Sequence, residues 1–336
     1  MKLEIKKYTL RLKHKFRISR EAYDEQETLI VCLSAEGLTG YGETTSNPYY
    51  GMEIGSMVNE IEAVRDEIES HELKDPVAFY DFLTVKELNP FTKCALDLAA
   101  HDLHGKIVGK PLYELWGTNT DHFPITNYTI GLDSIENMIA KMEEKPWPIY
   151  KIKLGTEDDI SIIRALRENS EAVFRIDANC AWTAEQTIAY APVLKKLNVE
   201  FIEQPLPADD WKGMEKVLHH SVLPIIADES CITEDDVDRC ALHFNGINIK
   251  LTKCGGLTPA LRMIRRAKEL GVKVMVGCMT ESTVGISAIA QLLPQLDYVD
   301  MDGALLLDQD IADGVQIREE GIVIFPESGG SGIQLR

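Results

Sequence analysis

The sequence predicts an α/β protein in which a parallel barrel of alternating strands and helices follows a separate α+β domain. From residue 120 onward, apolar runs that end in polar residues return about every 25 positions, each before a stretch of helical periodicity. There are eight such runs, and eight consecutive strand-helix units are the number that closes a parallel barrel. An open doubly wound sheet is the alternative, but no GxGxxG motif follows any run.

The region up to residue 117 lacks this repeat and is predicted to be the α+β domain. Two alternating segments, KLEIKKYTLRL and TLIVCLSAEG, are typical of strands, and GLTGYGE after them resembles a hairpin. Helices are predicted to begin near Gly55 and Pro76. A further stretch is predicted to be helical up to the Gly-Lys-Pro sequence and ends at Gly117, where we expect the barrel to start. The predicted divisions are 1–117 for this domain, 118–312 for the barrel, and 313–336 for a tail whose short strands return to the first domain.

Polar residues follow almost every predicted barrel strand. The eight runs are PITNYTIG, YKIKLG, VFRIDAN, VEFIEQP, PIIADES, GINIKLT, KVMVGCM and YVDMDG. Barrel strands are buried on both faces, so charged residues belong at their carboxyl ends, where the active sites of such barrels lie. The polar ends are, in chain order, Lys151 and Lys153, Asp177 and Asn179, Glu203 and Gln204, Asp228 and Glu229, Lys250, Glu281, and Asp300 and Asp302.

Composition excludes several classes of partner. With 35 basic and 54 acidic residues, the net charge of −19 repels nucleic acid and anionic membranes. No segment is long and apolar enough to span a membrane, and the amino-terminal residues alternate as a strand does rather than forming an export signal. Seven scattered cysteines without a CxxC motif indicate neither a disulfide framework nor a zinc site. We therefore expect a cytoplasmic protein with reduced thiols.

Three consecutive predicted strands each supply one carboxylate, from Asp177, Glu203 and Asp228. Taken singly, each is better explained as a helix N-cap or a salt-bridged residue at the barrel rim. Together, at the same level of adjacent strands, they form an oxygen-only ligand set without histidine or cysteine, which suits a hard cation such as Mg²⁺.

Lysines are predicted on two facing walls of the same pocket. Lys151 and Lys153 are two residues apart, so they point to the same side, and like charge and desolvation are expected to lower the pKa of one of them. Lys250, on the sixth strand, lies across the barrel from the second. Two opposed bases beside a carboxylate bound to magnesium would remove and return an α-proton with inversion. Alternatively, the lysines neutralise the acidic cluster, bind phosphate or form a Schiff base.

Asp300 and Asp302 repeat the two-residue spacing on the last strand. Paired carboxylates that face one pocket are well placed to hold an ammonium group, such as a free amino terminus. A hydrogen-bonding role at the barrel rim and a second metal site are the alternatives.

Seven segments occur in an order that resembles the enolase superfamily, specifically its muconate-lactonizing subgroup and the dipeptide epimerases that act on L-Ala-D/L-Glu. They are KIKLG, RIDANCAW, FIEQPL, IIADES, NIKLTKCGG, VGCMTES and DMDGALLL. A lysine or histidine base beside magnesium is the general description of enolase-superfamily sites. The resemblance covers essentially the whole chain. It implies a TIM-type (β/α)7β barrel with an α+β N-terminal capping domain, which the C-terminal tail completes.

The resemblance also implies a role for each site residue. Asp177, Glu203 and Asp228 bind Mg²⁺; Lys153 and Lys250 are the opposed bases; Lys151 tunes Lys153 and faces the substrate; Asp300 and Asp302 hold the substrate ammonium group. The segment FRISREAYDEQETLIV is similar to the one that carries an arginine for the glutamate carboxylate, with Arg20 at the matching position and Arg17 as a competitor. The loop TTSNPYYGMEIG either closes the pocket or is a solvated hairpin tip.

The expected function is a Mg²⁺-dependent epimerisation of the C-terminal residue of a dipeptide, with L-Ala-D/L-Glu as the expected substrate, through a metal-stabilised enediolate. The first residue of the dipeptide stays open, and family resemblance suggests a homo-oligomer. An o-succinylbenzoate synthase or a cycloisomerase of the same subgroup is the alternative enzyme. A sugar acid dehydratase is disfavoured because none of the eight histidines falls at the end of strand six, seven or eight. A non-catalytic amino-acid or peptide binding protein is the remaining alternative.

Overall fold

The computed structural model describes residues 1–18 and 21–336. It contains a three-stranded antiparallel sheet in the N-terminal region and an eight-stranded parallel sheet after it, so the predicted fold class is confirmed. Within the described residues, none of the helices combines the length and the apolar character that crossing a membrane requires.

The antiparallel sheet has one strand more than the sequence suggested. Its strands are β1 (Lys2–Arg17), β2 (Ala22–Ala35) and β3 (Leu38–Thr45). The tight turn is at Glu36 and Gly37, whose φ angles of 55° and 77° suit a two-residue hairpin. The prediction that GLTGYGE is itself a hairpin was wrong, because its inner glycines serve packing: a Cβ on Gly42 would lie 2.0 Å from the carbonyl oxygen of Ala95.

Helices cover this sheet on the side of the barrel. The predicted starts near Gly55 and Pro76 are confirmed, and the proline at the first helical position follows the N-cap Asp75, whose side chain accepts from Val77 N. The helices are α1 (Ile54–Ala63), α2 (Arg65–Ser70), α3 (Pro76–Val85), α4 (Pro90–Val108) and α5 (Leu112–Leu115). Helix α4 is buried along most of its length because it lies between β3 and the barrel helices.

All eight predicted runs form strands, and sequential strands are neighbours throughout the parallel sheet. The strands are β4 (Tyr128–Ile130), β5 (Ile149–Lys153), β6 (Val173–Asp177), β7 (Val199–Glu203), β8 (Ile225–Ala227), β9 (Gly246–Lys250), β10 (Lys273–Gly277) and β11 (Tyr298–Asp300). The helices are α6 (Ile135–Glu144), α7 (Asp159–Glu168), α8 (Ala184–Lys196), α9 (Trp211–His220), α10 (Val237–Ala241), α11 (Leu251–Cys254), α12 (Leu257–Glu269) and α13 (Thr283–Ala290).

Side chains join the first barrel strand to the last. Thr129 N donates to Asp302 Oδ2 at 2.5 Å, and Met301 N donates to Thr126 Oγ1 at 3.0 Å. Asn127 Nδ2 donates to Asp300 Oδ1 at 2.7 Å. The two acidic residues at the end of β11 therefore help to close the barrel as well as facing its cavity.

The C-terminal tail contacts the N-terminal region. It contains the strand pairs β12 (Ala312–Asp313) with β15 (Gln334–Leu335) and β13 (Gln316–Ile317) with β14 (Val323–Ile324). Ser331 N donates to Asp102 on α4 at 2.8 Å, and Lys106 Nζ donates to Ile333 O at 3.0 Å. The division of the chain after residues 117 and 312 stays a prediction.

Candidate active site

The carboxyl ends of the barrel strands open into a cavity of about 390 Å³ that the N-terminal sheet and its loops cover. This volume lies within the range of small-molecule sites. Lys151, Lys153, Asp228, Lys250, Asp300 and Asp302 line its floor, and Phe16, Ile18, Tyr23, Asn47, Pro48 and Tyr50 line its roof. The barrel and the N-terminal region thus build one site together.

Asp177, Glu203 and Asp228 lie close together, and Asp228 among them lines the cavity floor. Asp177 and Glu203 end β6 and β7 and are register partners, and Asp228 directly follows β8. All three are buried, and one ligand oxygen from each lies within 4.8 Å of the others. These strands are adjacent and parallel, and their carboxyl ends lie at the same level of the barrel. Carboxylates about 25 residues apart in sequence therefore come together there.

The ionisation of this acidic cluster is uneven. Burial raises the pKa of Glu203 to about 7, with the Asp177 charge as a further cause. Burial alone would also raise the pKa of the two aspartates, but Lys153 and Lys151 lower that of Asp177, and Lys250 and Lys253 hold that of Asp228 well below its ordinary value.

The same three residues fit a hard divalent cation. Glu203 Oε2 is buried and lies 2.9 Å from Lys151 Nζ, yet it accepts no hydrogen bond from the described residues. Lys151 therefore supplies charge but no hydrogen bond to this oxygen, and its acceptor capacity is left for a further cation. The oxygen-only composition of the cluster favours Mg²⁺ over softer metals.

Lysines reach the cluster from two walls. Lys153 Nζ lies 2.7 Å from Asp177 Oδ2, and Lys250 Nζ lies 2.8 Å from Asp228 Oδ2. Lys153 ends β5 and Lys250 ends β9, and these strands are four positions apart in the order of the eight-stranded sheet. In a closed barrel, strands half the circumference apart face each other. The two amines therefore enter the cavity from opposite walls.

A lowered pKa was expected for one of the two lysines Lys151 and Lys153, and Lys151 is not that lysine. Its side chain is buried, which disfavours the charge, but its ammonium group contacts the carboxylates of Asp300, Glu203 and Asp177. These charges outweigh burial and raise the pKa of Lys151 well above its ordinary value. Asp228 does the same for Lys250.

Asp300 and Asp302 both line the cavity, with different partners. Asp300 accepts from Lys151 and Asn127, and these contacts lower its pKa although burial opposes this. Burial and the Asp300 charge raise the pKa of Asp302 to about 8. The hydrogen-bonding role considered from the sequence is observed, and the ammonium-binding role stays a prediction. Cys278 lies near both carboxylates, so the alternative of a second metal site stays open as well.

We call the segments FRISREAYDEQETLIV and TTSNPYYGMEIG the two capping segments. Described residues of both line the cavity. Arg20 lies outside the described residues 1–18 and 21–336. Arg17 is exposed, and Phe16 and Ile18 on either side of it line the cavity. The loop TTSNPYYGMEIG covers the cavity with Asn47, Pro48 and Tyr50. Of the two interpretations, a loop that closes the pocket is therefore the one observed.

Two family models cover most of the chain. Residues 3–117 match the mandelate racemase / muconate lactonizing enzyme N-terminal domain, and residues 134–336 match the enolase C-terminal domain-like family. The chain belongs to the enolase superfamily. The membership that the seven ordered motifs predicted is confirmed.

Relatives within the enolase superfamily match this chain over its full length. An L-Ala-D/L-amino acid epimerase from Maribacter sp. is 68% identical, covering 100% of this chain and 99% of the relative. One of the same name from Flavobacterium johnsoniae is 56% identical and covers 100% of both chains. The crystal structure of a dipeptide epimerase from Cytophaga hutchinsonii, complexed with Mg and D-Ala-L-Val, is 28% identical with a TM-score of 0.94, covering 99% of this chain and 95% of that one.

Sequence reasoning missed two polar residues of this enolase-superfamily site. Lys253 Nζ is buried and lies 2.5 Å from Asp228 Oδ1, and it also donates to the backbone oxygens of Asp228 and Cys231. Asn248 Nδ2 donates to Glu203 Oε1 at 2.8 Å. Asn248 was detectable, because it precedes Lys250 by two residues on the same strand and therefore points to the same side.

Proposed function

We propose that this chain is a dipeptide epimerase that inverts the α-carbon of the C-terminal residue. The observation that carries the proposal is the placement of Lys153 and Lys250 on opposite walls of one cavity, each beside a carboxylate of the acidic cluster. The relatives that share its whole length and carry epimerase names support it.

The proposed metal ligands are Asp177, Glu203 and Asp228, and the proposed metal is Mg²⁺. When bound there, Mg²⁺ would make the α-proton of the substrate more acidic by drawing electron density from the substrate carboxylate. Lys253 and Asn248 hold Asp228 and Glu203 in position through their hydrogen bonds. This arrangement fixes the donor set before the cation enters.

The proton is moved by the two opposed lysines. One lysine takes the α-proton with its neutral amine, and the other gives a proton to the opposite face of the carbon from its ammonium group. The number of protons is unchanged, and the configuration is inverted. Lys151, which contacts carboxylates on three strands, keeps a positive charge at the centre of the site.

The proposed substrates are dipeptides with a small first residue and a variable second residue, including L-Ala-L-Glu. Asp300, as a carboxylate, and Asp302, as a second carboxyl group beside it, both line the cavity and offer oxygen atoms to the free ammonium group of the dipeptide. The described residues around the roof include Ile18, Tyr23 and Tyr50, which suit apolar side chains as well. The dipeptide epimerase from Cytophaga hutchinsonii is complexed with D-Ala-L-Val, whose second residue is apolar.

The proposal extends to location and assembly. Within residues 1–18 and 21–336 the cysteines form no disulfide bonds, which agrees with a cytoplasmic, reducing environment. A homo-oligomer is proposed on family resemblance alone, and size-exclusion chromatography with light scattering tests it.

The test is deuterium exchange. The purified protein with MgCl₂ is incubated in D₂O with L-Ala-L-Glu and with L-Ala-L-Phe, and NMR follows the α-proton of the second residue. We expect deuterium incorporation together with formation of the L,D epimer, and no reaction with N-acetylated dipeptides. A binding protein or an o-succinylbenzoate synthase would show no deuterium uptake into either dipeptide, and that result would refute the proposal.

A further inference from the structure

The loop between β10 and α13, residues 278–282, contacts three separate parts of the N-terminal region. Thr280 Oγ1 lies 2.9 Å from Tyr23 Oη, at the start of β2. Met279 Sδ accepts from Asn47 Nδ2 at 3.7 Å, in the loop after β3. Ser282 contacts Glu43 near the end of β3. We call residues 278–282 the seventh loop; it contacts both capping segments, at Tyr23 and at Asn47, and its residues Met279 and Thr280 line the cavity with them.

Of the residues that contact the seventh loop, Glu43 is buried. Its carboxylate is fully enclosed and accepts four hydrogen bonds: Oε1 from Thr28 Oγ1 at 2.7 Å and Ser282 N at 3.0 Å, and Oε2 from Ser282 Oγ at 2.7 Å and Gly285 N at 2.8 Å. Two of the donors are backbone N–H groups at the start of α13. A carboxylate there satisfies otherwise unpaired N–H groups and interacts favourably with the helix dipole.

The strand pattern explains how Glu43 reaches the barrel. Gly40 and Gly42 face α4, where a Cβ on either would lie within 2.2 Å of a backbone oxygen. Glu43 is on the other face of β3, opposite Ile30, which packs with Val284 of α13. Close packing of β3 on α4 thus sets the depth at which the Glu43 carboxylate meets the seventh loop.

The seventh loop has little freedom to adapt. Glu281 is buried and accepts from Met279 N at 2.9 Å, within the loop itself. A Cβ at Gly285 would lie 2.1 Å from Glu281 Oε2 and 3.2 Å from Glu43 Oε2. The carboxyl groups of Glu43 and Glu281 therefore occupy the space above the first turn of α13, and the loop is held from both sides.

We propose that Glu43 is a positioning residue for the substrate pocket: by fixing the seventh loop, it holds Thr280 and Met279 where they retain Tyr23 and Asn47 at the cavity wall. Glu43 does not line the cavity itself, so it acts through these residues. The contact between this wall and the side chain of the second dipeptide residue rests on the proposed function. The ordering of the loop by Glu43 is independent of the proposed function.

The test compares Glu43→Gln with a matched control, Asp102→Asn. Asp102 is an equally buried carboxylate of the N-terminal region, but it binds Tyr41 N, Ser331 N and Lys106, away from the seventh loop. Both variants are expected to lose stability. Only Glu43→Gln is expected to raise amide hydrogen exchange in residues 278–286, by about tenfold or more, because only there is a helix N–H group left facing an amide N–H.

Kinetics supply the second readout. For Glu43→Gln we expect KM for L-Ala-L-Phe to rise about tenfold while kcat falls less than about threefold, and KM for L-Ala-L-Ala to change less. Asp102→Asn should leave both KM values within about twofold of the parent. Equal loop exchange and equal KM values in the two variants would overturn the inference.

The experiments distinguish a failure of the proposed function from a failure of this inference. If the parent protein does not epimerise dipeptides, the proposed function fails, and the exchange measurement still decides whether Glu43 orders the seventh loop. If Glu43→Gln does not fold, Thr28→Val replaces it, because it removes one hydrogen bond to Glu43 from outside the loop and leaves the bonds from Ser282 and Gly285 in place. Loop exchange in Thr28→Val at the level of the parent would then reject the inference.

Discussion

Lys151 Nζ lies 2.8 Å from Asp300 Oδ2, which connects the second barrel strand to the eighth across the cavity floor. The same ammonium group lies 2.9 Å from Glu203 Oε2 and 3.1 Å from Asp177 Oδ2. One buried cation therefore links the proposed metal ligands to the proposed ammonium-binding residue. Its removal would leave several buried carboxylates without their partner.

Lys151→Met should therefore be strongly destabilising. We expect a loss of about 3–5 kcal/mol in the free energy of unfolding, the usual cost of breaking a buried ion pair from one side. Urea unfolding followed by circular dichroism measures it. The matched control is Lys141→Met, whose ammonium group pairs with the partly exposed Asp133 and should contribute no more than about 1 kcal/mol. Equal losses in the two variants would contradict the central role of Lys151.

The opposed lysines should show complementary exchange. Lys153→Ala and Lys250→Ala should each lower the epimerisation rate by about 100- to 10,000-fold, because each removes one of the two proton-transfer groups. Each variant keeps one lysine and should exchange the α-proton of one epimer only, with opposite preferences. NMR in D₂O with the L,L and L,D dipeptides measures this. Lys268→Ala, on the exposed side of α12, is the control and should match the parent. Full epimerisation by either site variant would rule out the two-base assignment.

Magnesium should stabilise the protein through the acidic cluster. At a free concentration of about 100 times Kd, binding to the native state alone contributes about 2.7 kcal/mol, which should raise Tm by several degrees. Asp177→Asn and Glu203→Gln should abolish the shift, whereas Asp133→Asn, outside the cavity, should retain it. Differential scanning calorimetry with MgCl₂ and with EDTA provides the measurement. A shift that survives in both cluster variants would place the cation elsewhere.

Glu281 should make stability depend on pH. Burial and the neighbouring Glu43 raise its pKa from 4.5 to about 8. Because the folded state holds this proton more tightly than the unfolded state, the contribution is present below pH 4.5 and is lost as pH rises to about 8, at roughly 1 kcal/mol per pH unit. Glu281→Gln cannot ionise, so its stability relative to the parent should increase between pH 5 and pH 8. Parallel stability profiles for the two proteins would contradict this.

Much of the barrel and its site followed from local patterns. The barrel strands are three to five residues long and end where polarity begins, so Asp177, Glu203, Asp228 and Lys250 were assigned to the correct strand ends. The extra strand β3 was missed, because the glycines of GLTGYGE are equally compatible with a turn and with close helix packing. Only the position of α4 decides between these.

The sequence by itself determined the order of strands and helices, the residue types at the strand ends and the family, because these depend on neighbours within a few residues and on ordered motifs. The tertiary structure alone decided which charges meet. Lys151 and Asp300 are 149 residues apart, and Glu43 and Ser282 are 239 apart, yet each pair is in direct contact. Hydrogen bonds and ion pairs act over a few ångströms, so the direction of the Lys151 pKa and the anchoring of the seventh loop are properties of the folded chain.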